Sequence, residues 1–287
     1  MSGEVSALEE KLAEQAAELE MLRAELDETN RGVVALYAEL EYNAVQLKEA
    51  ADLKSRFLSY MSHEFRTPLA SITSIAGILL ADMDGPLTAE QRRQVQYVQG
   101  SVRELTEMVD DLLDLAKVEA GRISISPEWF EMVDLFSALR GMFKPIVGEG
   151  SVSLIFEETD AVPRIYTDDK KLSQILRNFI SNALKFTSQG EVRVSARALP
   201  EERVEFAVTD TGIGMAPEHL PTLFADFVQL DTRVQKRLRG TGLGLSLCRK
   251  FATLLGGHVG VQSIEGQGSR FYVVIPVYYP GRKPEVA

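Results

Sequence analysis

The stretch SHEFRTPL, Ser62–Leu69, places one of the chain's three histidines in a segment whose apolar residues repeat every seven positions. The same period runs upstream through a row of valines and leucines at Val5, Leu12, Leu19, Leu26, Val33, Leu40 and Leu47. A second row contains Leu8, Leu22, Leu36 and Ala50, interrupted by Gln15, Thr29 and Asn43. A repeat of this length is typical of a coiled coil, in which polar seam residues help to fix the register. The sequence therefore predicts a long helix that pairs with a second copy of the chain.

The heptad register changes just before the histidine. In the upstream register Lys54 and Glu64 would lie in the seam, whereas a new row starts four residues out of phase, at Leu58, Phe65, Ile72 and Leu79. With Leu58 at position a, His63 falls at f, the position farthest from the seam. We therefore expect His63 to face solvent. Pro68 removes one amide donor and crowds the carbonyl of Glu64, which predicts a bend in the helix beside His63.

A second helix is predicted after the turn sequence DMDGPLT, residues 82–88. Thr88 and Gln91 have the spacing of a capping box, and apolar residues then follow at helical spacing until Gly121. Asp111 and Asp114 are expected to be solvated on this helix, with a contact to the downstream domain as the alternative. A helical hairpin of this kind forms a four-helix bundle when it dimerises.

After Pro127 the pattern changes to short strands alternating with helices, which predicts an α+β domain. The predicted strands cover residues 152–156, 192–198, 204–209, 258–263 and 271–277. The predicted helices cover residues 135–143, 168–186 and 243–255.

One predicted helix of this domain carries two asparagines with helical spacing. Asn178 and Asn182 are four residues apart and so project from one face, and Lys185 lies close to that face. Two amide oxygens beside a cation suit a hydrated magnesium ion and the phosphates bound to it. A solvated helix face is the alternative interpretation of the asparagine pair.

Two glycine clusters add to this pattern. Asp210 ends a predicted strand and is followed by Gly212 and Gly214, so that a carboxylate able to accept from the exocyclic amine of adenine lies beside closely approaching backbone. Gly240, Gly242 and Gly244 lead into a helix whose N-terminal amides suit phosphate. Between the clusters, the basic stretch VQKRLRG, residues 234–240, is expected to form a lid, with a solvated loop as the alternative.

The composition limits the classes of protein to be considered. A formal net charge of -11 over 287 residues disfavours nucleic acid as the main partner. The single cysteine, Cys248, excludes an internal disulfide framework and suits a reducing compartment. The start of the sequence lacks a secretory signal, and no apolar run is long enough to cross a bilayer, so a cytoplasmic location without a transmembrane segment is predicted.

Six motifs in order make the sequence resemble a sensor histidine kinase of a two-component system over roughly residues 52–278. SHEFRTPL resembles the H box of that family, NFISNALKF its N box and DTGIGM its first G box. LFADFVQ resembles its F box, GTGLGL its second G box, and EGQGSRFYVVIP its closing strand pair.

The resemblance implies a multidomain protein with a coiled-coil signalling helix (1–51), a dimerisation and histidine phosphotransfer domain (52–122) and an α+β sandwich ATP-binding domain of GHKL type (127–280). It implies that His63 accepts the phosphoryl group, that Glu64 orients the ring or takes its proton, and that Thr67 positions water for dephosphorylation of the response regulator. It implies ATP and Mg²⁺ as cofactors, with both asparagines at the metal. The implied nucleotide-binding residues are Asn178, Asn182, Lys185, Asp210, Gly212, Gly214, Arg239, Thr241, Gly242, Leu243 and Gly244. The implied partners are a second copy, a separate receiver domain and an upstream sensor acting through the coiled coil.

Two alternative functions stay open at this point. One is an ATP-binding scaffold without catalysis, which the presence of Asn178, Asp210 and His63 disfavours. The other is an enzyme that acts mainly as a response-regulator phosphatase, which Thr67 permits.

The related chaperone and gyrase ATPases have a glutamate where this chain has Asn178, and asparagine cannot act as a general base. The site therefore favours transfer over hydrolysis. At Phe186 many relatives have tyrosine or histidine, which costs one polar contact here.

Overall fold

The computed structural model describes residues 2–83, 85–147, 151–158, 162–228 and 242–280. The chain divides into two compact parts, Met1–Phe57 and Leu58–Ala287. In the described ranges, no helix is long and apolar enough to cross a membrane.

The first part is helical throughout its described residues. Helix α1 runs from Ser2 to Leu80 and so begins in the first part and ends in the second. The seam leucines and valines from Leu12 to Leu47 are exposed in the single chain. The predicted long helix is thus confirmed, and its pairing with a second copy stays a prediction.

The second part begins with the predicted helical hairpin. Helix α2 covers Ala89–Glu119. Its N-terminus has the predicted capping box, in which the Gln91 amide donates to Thr88 Oγ1 over 3.2 Å and the Thr88 amide donates to Gln91 Oε1 over 2.9 Å. At the other end, Gly121 adopts φ +63° and the Arg122 amide donates to the Lys117 carbonyl over 2.9 Å. Both predicted helix ends are therefore confirmed.

The turn between the two helices is held by one arginine. Arg92 donates to the Leu80 carbonyl over 2.9 Å and to both carboxylate oxygens of Asp82 over 2.6–2.7 Å. Asp82 itself has a left-handed φ of 56° and accepts from the Leu87 amide over 3.2 Å. The side chain of Arg92 lowers the pKa of Asp82, which keeps the carboxylate ionised in this turn.

The rest of the second part is an α+β sandwich, as predicted. The strands of its five-stranded sheet are β2 (Val152–Phe156), β4 (Gly190–Leu199), β5 (Arg203–Asp210), β6 (His258–Ile264) and β7 (Gly268–Pro276). They lie in the order β2-β4-β5-β7-β6, in which β2 and β4 are parallel and the other neighbours antiparallel. The helices are α3 (Met132–Val147), α4 (Asp169–Phe186) and α5 (Gly244–Leu254), with a 3₁₀ helix at Pro217–Thr222.

The core lies between the sheet and these helices. Phe179 and Phe251 of the helices and Phe206 and Ile275 of the sheet are fully buried in it. Ile123 and Ile125, from the segment that joins α2 to the domain, also pack against this core. The connection to the hairpin is therefore anchored on the core of the α+β domain.

Two short strands and some helix bounds were not predicted. β1 (Glu128–Phe130) and β3 (Ile165–Thr167) pair antiparallel in a small second sheet. Helix α3 extends beyond the predicted 135–143 and includes Pro145 near its end. Asp168, predicted as the first residue of α4, is instead its N-cap and accepts from the Lys171 amide over 3.0 Å.

Candidate active site

His63 lies on the outer face of α1. Its side chain is 78% exposed, which confirms the prediction from the shifted heptad register. Its Nδ1 is 3.5 Å from Oε1 of Glu64. That distance is at the limit of a hydrogen bond, so the carboxylate is near enough to orient the ring or to take its proton.

Thr67 and Pro68 follow one turn later. The Thr67 hydroxyl donates to the His63 carbonyl over 3.3 Å, which places it on the face of the histidine as predicted. Pro68 has no amide hydrogen to donate to the Glu64 carbonyl. Helix α1 continues through this position to Leu80, and the predicted bend stays a prediction.

The asparagine pair on α4 is in contact with the second glycine cluster. Asn182 Nδ2 donates to Asn178 Oδ1 over 3.1 Å. Gly244, the first residue of α5, lies so close that a Cβ atom there would overlap the side-chain amide of Asn178. The fold thus brings together two motifs that are more than sixty residues apart in sequence.

Asp210 is fixed at the end of β5, between β4 and β7. Its Oδ1 accepts from the Gly212 amide over 2.9 Å and from the Ser269 amide over 3.3 Å. Burial raises the pKa of Asp210, and these two hydrogen bonds oppose that shift in part. Because both bonds use Oδ1, Oδ2 is the oxygen suited to accept from a ligand amine.

The glycines around Asp210 are required by close backbone contacts. A Cβ at Gly212 would lie 2.8 Å from Asp210 Oδ1 and 2.9 Å from the Phe186 carbonyl carbon. Gly214 has φ +62° and packs against the Ile264 carbonyl, and Gly242 has φ +71° and packs against Phe227. Larger residues would displace this backbone from the site.

Lys185 and Leu243 differ from the other predicted nucleotide ligands. The Lys185 ammonium lies 5.6 Å from the centre of the Phe186 ring. Burial lowers the pKa of Lys185, and the negative charge of Glu104 on α2 opposes that shift. Leu243 is buried, so only its backbone is suited to a ligand. Arg239, Thr241, Gly240 and the predicted lid at 234–240 lie outside the described residues.

The two asparagine side chains suit a metal ion that binds mainly water and phosphate oxygens and takes few ligands from the protein. Across the described ranges, no group of three or more histidine, cysteine, aspartate or glutamate side chains is arranged to hold a metal. The amide oxygens of Asn178 and Asn182 are the candidate protein ligands, and magnesium usually takes only one or two such groups beside water and phosphate.

Two contacts of Ser269 were not identified as site features from the sequence. The Ser269 amide bonds Asp210 across fifty-nine residues, and its hydroxyl is 2.9 Å from that of Ser263. Only the closing motif EGQGSRFYVVIP marks this position in the sequence. Asp114, expected to be solvated, instead accepts from Gln174 of α4 over 2.8 Å, so that the alternative prediction is correct for this residue.

Two family models match the chain. Residues 53–121 match the His Kinase A (phospho-acceptor) domain. Residues 167–279 match the histidine kinase-, DNA gyrase B- and HSP90-like ATPase family. His63 lies in the first match, and the asparagine pair, Asp210 and the glycines lie in the second.

Several curated proteins are similar over most of the chain. An uncharacterized sensor-like histidine kinase of Rhizobium meliloti is 37% identical over 84% of this chain and 46% of its own length. The circadian input-output histidine kinase CikA of Synechococcus elongatus is 39% identical over 82% of this chain and 31% of its own. The chain thus spans less than half the length of these relatives.

Solved structures have the same fold. Full-length ShkA in complex with AMPPNP has a TM-score of 0.64 and 35% identity over 78% of this chain and 46% of its own. Histidine kinase ThkA in complex with the response regulator protein TrrA has a TM-score of 0.55 and 19% identity over 79% of this chain and 63% of its own.

Proposed function

Since this chain belongs to the two-component sensor histidine kinases, we propose that it uses ATP to phosphorylate His63 and passes the phosphoryl group to an aspartate of a separate response regulator. The observation that carries the proposal is the exposed His63 in the same chain as a site formed by Asn178, Asp210 and Gly244. The helical hairpin supplies a nucleophile that solvent and partners can reach. The α+β domain supplies the contacts that a nucleotide needs.

The chemistry at His63 is a nucleophilic displacement. A neutral imidazole nitrogen attacks the terminal phosphorus of ATP, the bond between that phosphorus and the bridging oxygen breaks, and ADP leaves with the electron pair. Glu64, 3.5 Å from Nδ1, holds the proton on that nitrogen and so leaves the lone pair on Nε2. The proton that the ring must lose then passes to Glu64 or to water.

The nucleotide site is assigned by chemical type. Asp210 Oδ2 accepts from the adenine amine, while backbone at Gly212, Gly214 and Gly242 closes on the nucleotide. The N-terminus of α5 at Gly244, with Leu243, Thr241, Arg239 and Lys185, meets the phosphates. Asn178 and Asn182 hold Mg²⁺, which when bound neutralises charge on the phosphates.

Asparagine at position 178 favours transfer to a protein nucleophile. Its amide contacts Asn182 and Gly244 and has no basic group that could activate water. ATP bound at this site therefore reacts with a nucleophile from another part of the protein, and we assign that role to His63.

The remaining assignments follow the same division of the chain. We assign residues 1–51 to a coiled coil that carries input from an upstream sensor, 52–122 to dimerisation and phosphotransfer, and 127–280 to ATP binding. The working unit is a homodimer. We place the chain in the cytoplasm, where a free cysteine such as the buried Cys248 stays reduced.

The test of the kinase reaction is incubation of the full chain with ATP labelled on its terminal phosphate and magnesium. We expect label on the protein that is stable to alkali and lost in acid, and its absence in His63→Gln. His258→Gln, which changes an exposed histidine on β6, is the matched control and should keep the label. Label that survives His63→Gln would exclude His63 as the acceptor.

A phosphatase activity on the same surface is favoured by the position of Thr67. Its hydroxyl lies on the His63 face, where it can position a water molecule beside a docked phosphoaspartate. The labelled protein is first mixed with candidate receiver domains, each paired with a variant whose acceptor aspartate is asparagine. Thr67→Ala should then slow loss of label from the receiver while labelling of His63 persists. If the receiver loses its label equally fast with the parent chain and with Thr67→Ala, Thr67 has no role in the dephosphorylation.

A further inference from the structure

Charged and polar side chains join the C-terminal third of α2 to the ATP-binding domain. Lys250 Nζ of α5 lies 3.3 Å from Glu119 Oε1 of α2 and 3.5 Å from Asp226 Oδ2. These three residues are called the Lys250 cluster below. Gln174 of α4 donates to Asp114 one and a half turns earlier on α2, over 2.8 Å. The hairpin thus contacts α4 and α5, and Lys250 joins the segment after the 3₁₀ helix to the same cluster.

The Lys250 cluster joins one cation to two carboxylates from different elements. The Lys250 side chain is 21% exposed, against 39% for Glu119 and 36% for Asp226. Removal of the cation would break the contacts that join α5 to Glu119 of α2 and to Asp226. Ion pairs that are this accessible to water are individually weak. Such a contact can bias an arrangement and still be broken during each reaction cycle.

In this arrangement the side chain of His63 does not lie in the nucleotide site. The His63 side chain is 78% exposed although the ATP-binding domain is in contact with α2. Phosphoryl transfer requires the reacting atoms to approach to about 3–3.5 Å in a site that excludes water. The domain must therefore leave this position on its own hairpin before its nucleotide can meet that histidine.

We propose that Lys250 is a positioning residue which holds the ATP-binding domain on α2 in a waiting arrangement, and that release of the Lys250 cluster precedes phosphorylation of His63 by the nucleotide of the same chain. The inference rests on the proposed kinase function and adds a control step to it. Because the cluster contacts neither Asn178 nor Asp210, its loss should change the rate of transfer and leave nucleotide binding as it is.

The kinetic test compares the full chain with Lys250→Met and Glu119→Gln, over a range of ATP concentrations with magnesium. Arg249→Met is the matched control, because Arg249 is the exposed neighbour of Lys250 on α5 and the change in charge is the same. We expect the maximal rate of His63 labelling to rise about two- to fivefold in both cluster variants, with KM for ATP unchanged and the control equal to the parent. A lower rate, or a raised KM, in the cluster variants would overturn the proposal. Lys250→Arg, which keeps the charge, should restore the parent rate.

A second measurement does not depend on kinase activity. Amide hydrogen exchange of α2 residues 111–119 in the nucleotide-free chain should be faster in Lys250→Met than in Arg249→Met. Equal exchange rates of residues 111–119 in the two variants would contradict the proposal that Lys250 holds the domain on α2. If the parent shows no labelling of His63, the proposed function fails, while the exchange result still decides whether the contact holds. Should Lys250→Met fail to fold, Glu119→Gln and Asp226→Asn break the same contacts from the other side.

Discussion

At the scale of single residues, Asp210 combines a structural cost with a proposed role in nucleotide binding. Its ionised carboxylate is buried, and burial raises its pKa, so that the charged form is less favourable in the folded chain than in the unfolded chain. Two amides stabilise Oδ1, and Oδ2 is the oxygen assigned to the adenine amine. Stability and nucleotide binding therefore make opposite demands on this residue.

Asp210→Asn should separate the two demands. Asparagine keeps an oxygen for the Gly212 and Ser269 amides and removes the buried charge, so the unfolding midpoint at pH 7 should rise. The amide offers a donor in place of Oδ2, so affinity for ADP should fall by roughly tenfold or more, since one lost hydrogen bond to a charged group is worth about 1.5–3 kcal/mol. Thermal unfolding and calorimetric titration measure the two effects. Asp134→Asn, at an exposed position of α3, is the control. It should raise the unfolding midpoint less than Asp210→Asn does, and it should leave the affinity for ADP unchanged.

The raised pKa of Asp210 also predicts how binding depends on pH. As the pH falls toward that pKa, the carboxylate takes a proton and Oδ2 becomes a donor. Affinity for ADP should therefore decline on acidification from a pH above the ordinary aspartate range, while the folded state gains relative stability from the same protonation. Titrations at several pH values check this, and an affinity that does not change in that range would contradict an ionised Asp210 in the site.

At the scale of elements, Asp168 joins the hairpin connection to the asparagine-bearing helix. Its Oδ1 caps α4 by accepting from the Lys171 amide, and its Oδ2 accepts from the Ser126 amide, both over 3.0 Å. Asp168→Ala should destabilise the domain by about 1–3 kcal/mol, because it removes a cap and leaves a second donor unpaired. Asp168→Asn keeps one acceptor and should fall between alanine and the parent in chemical denaturation. Asparagine equal to the parent would mean that only the cap contributes, whereas asparagine equal to alanine would mean that the oxygen it keeps contributes nothing.

Pro68 predicts a property of α1 rather than of a site. Pro68→Ala adds a donor for the Glu64 carbonyl and so stiffens the helix beside His63. If a bend there couples the long helix to access of ATP, the ratio of kinase to phosphatase rates should change. Pro145→Ala in α3 is a control with the same substitution in another helix. Unchanged rates for Pro68→Ala would count against a hinge at this position.

The elements that the sequence predicted well are those with a long or strongly patterned set of apolar residues. The strands of the main sheet were found within a few residues because each contains a run of apolar or β-branched residues, as in β5, where five consecutive residues are buried. β1 and β3 have three residues each, too few to form such a run, and depend on pairing with each other. Helix α3 continues past its predicted end at residue 143 and includes Pro145.

The candidate site was predictable where one residue type determines the chemistry. His63, the asparagine pair, Asp210 and the glycines could be named because their roles depend on their own side chains or on the lack of one. Ser269 acts through its backbone amide, which every residue except proline has. The role proposed for Lys250 depends on its contacts with Glu119 and Asp226, which lie 131 and 24 residues away in sequence. Long-range contacts of this kind have no local pattern.

At the scale of the whole molecule, the hairpin exposes an apolar face that a second copy would cover. One side of α1 is buried, at Ser62, Leu69 and Ala76, seven residues apart. The neighbouring heptad row is exposed in the single chain, with Phe65 at 47% and Ile72 at 41%, as is Leu105 on α2 at 44%. A row at the same spacing beside a buried one is the arrangement of a dimeric four-helix bundle.

Ile72→Glu should therefore weaken the dimer. In a twofold-symmetric bundle the change occurs in both copies at once, so two carboxylates would meet in the apolar seam and neither would have a partner. We expect the dissociation constant to rise by roughly tenfold or more, a cost of about 1.4 kcal/mol or more, measured by sedimentation at several concentrations. Ser74→Glu, two residues away on the exposed side of α1, is the matched control and should leave the dimer intact. A dimer equally stable in both variants would mean that the hairpin face is not the interface and that the coiled coil alone joins the two copies.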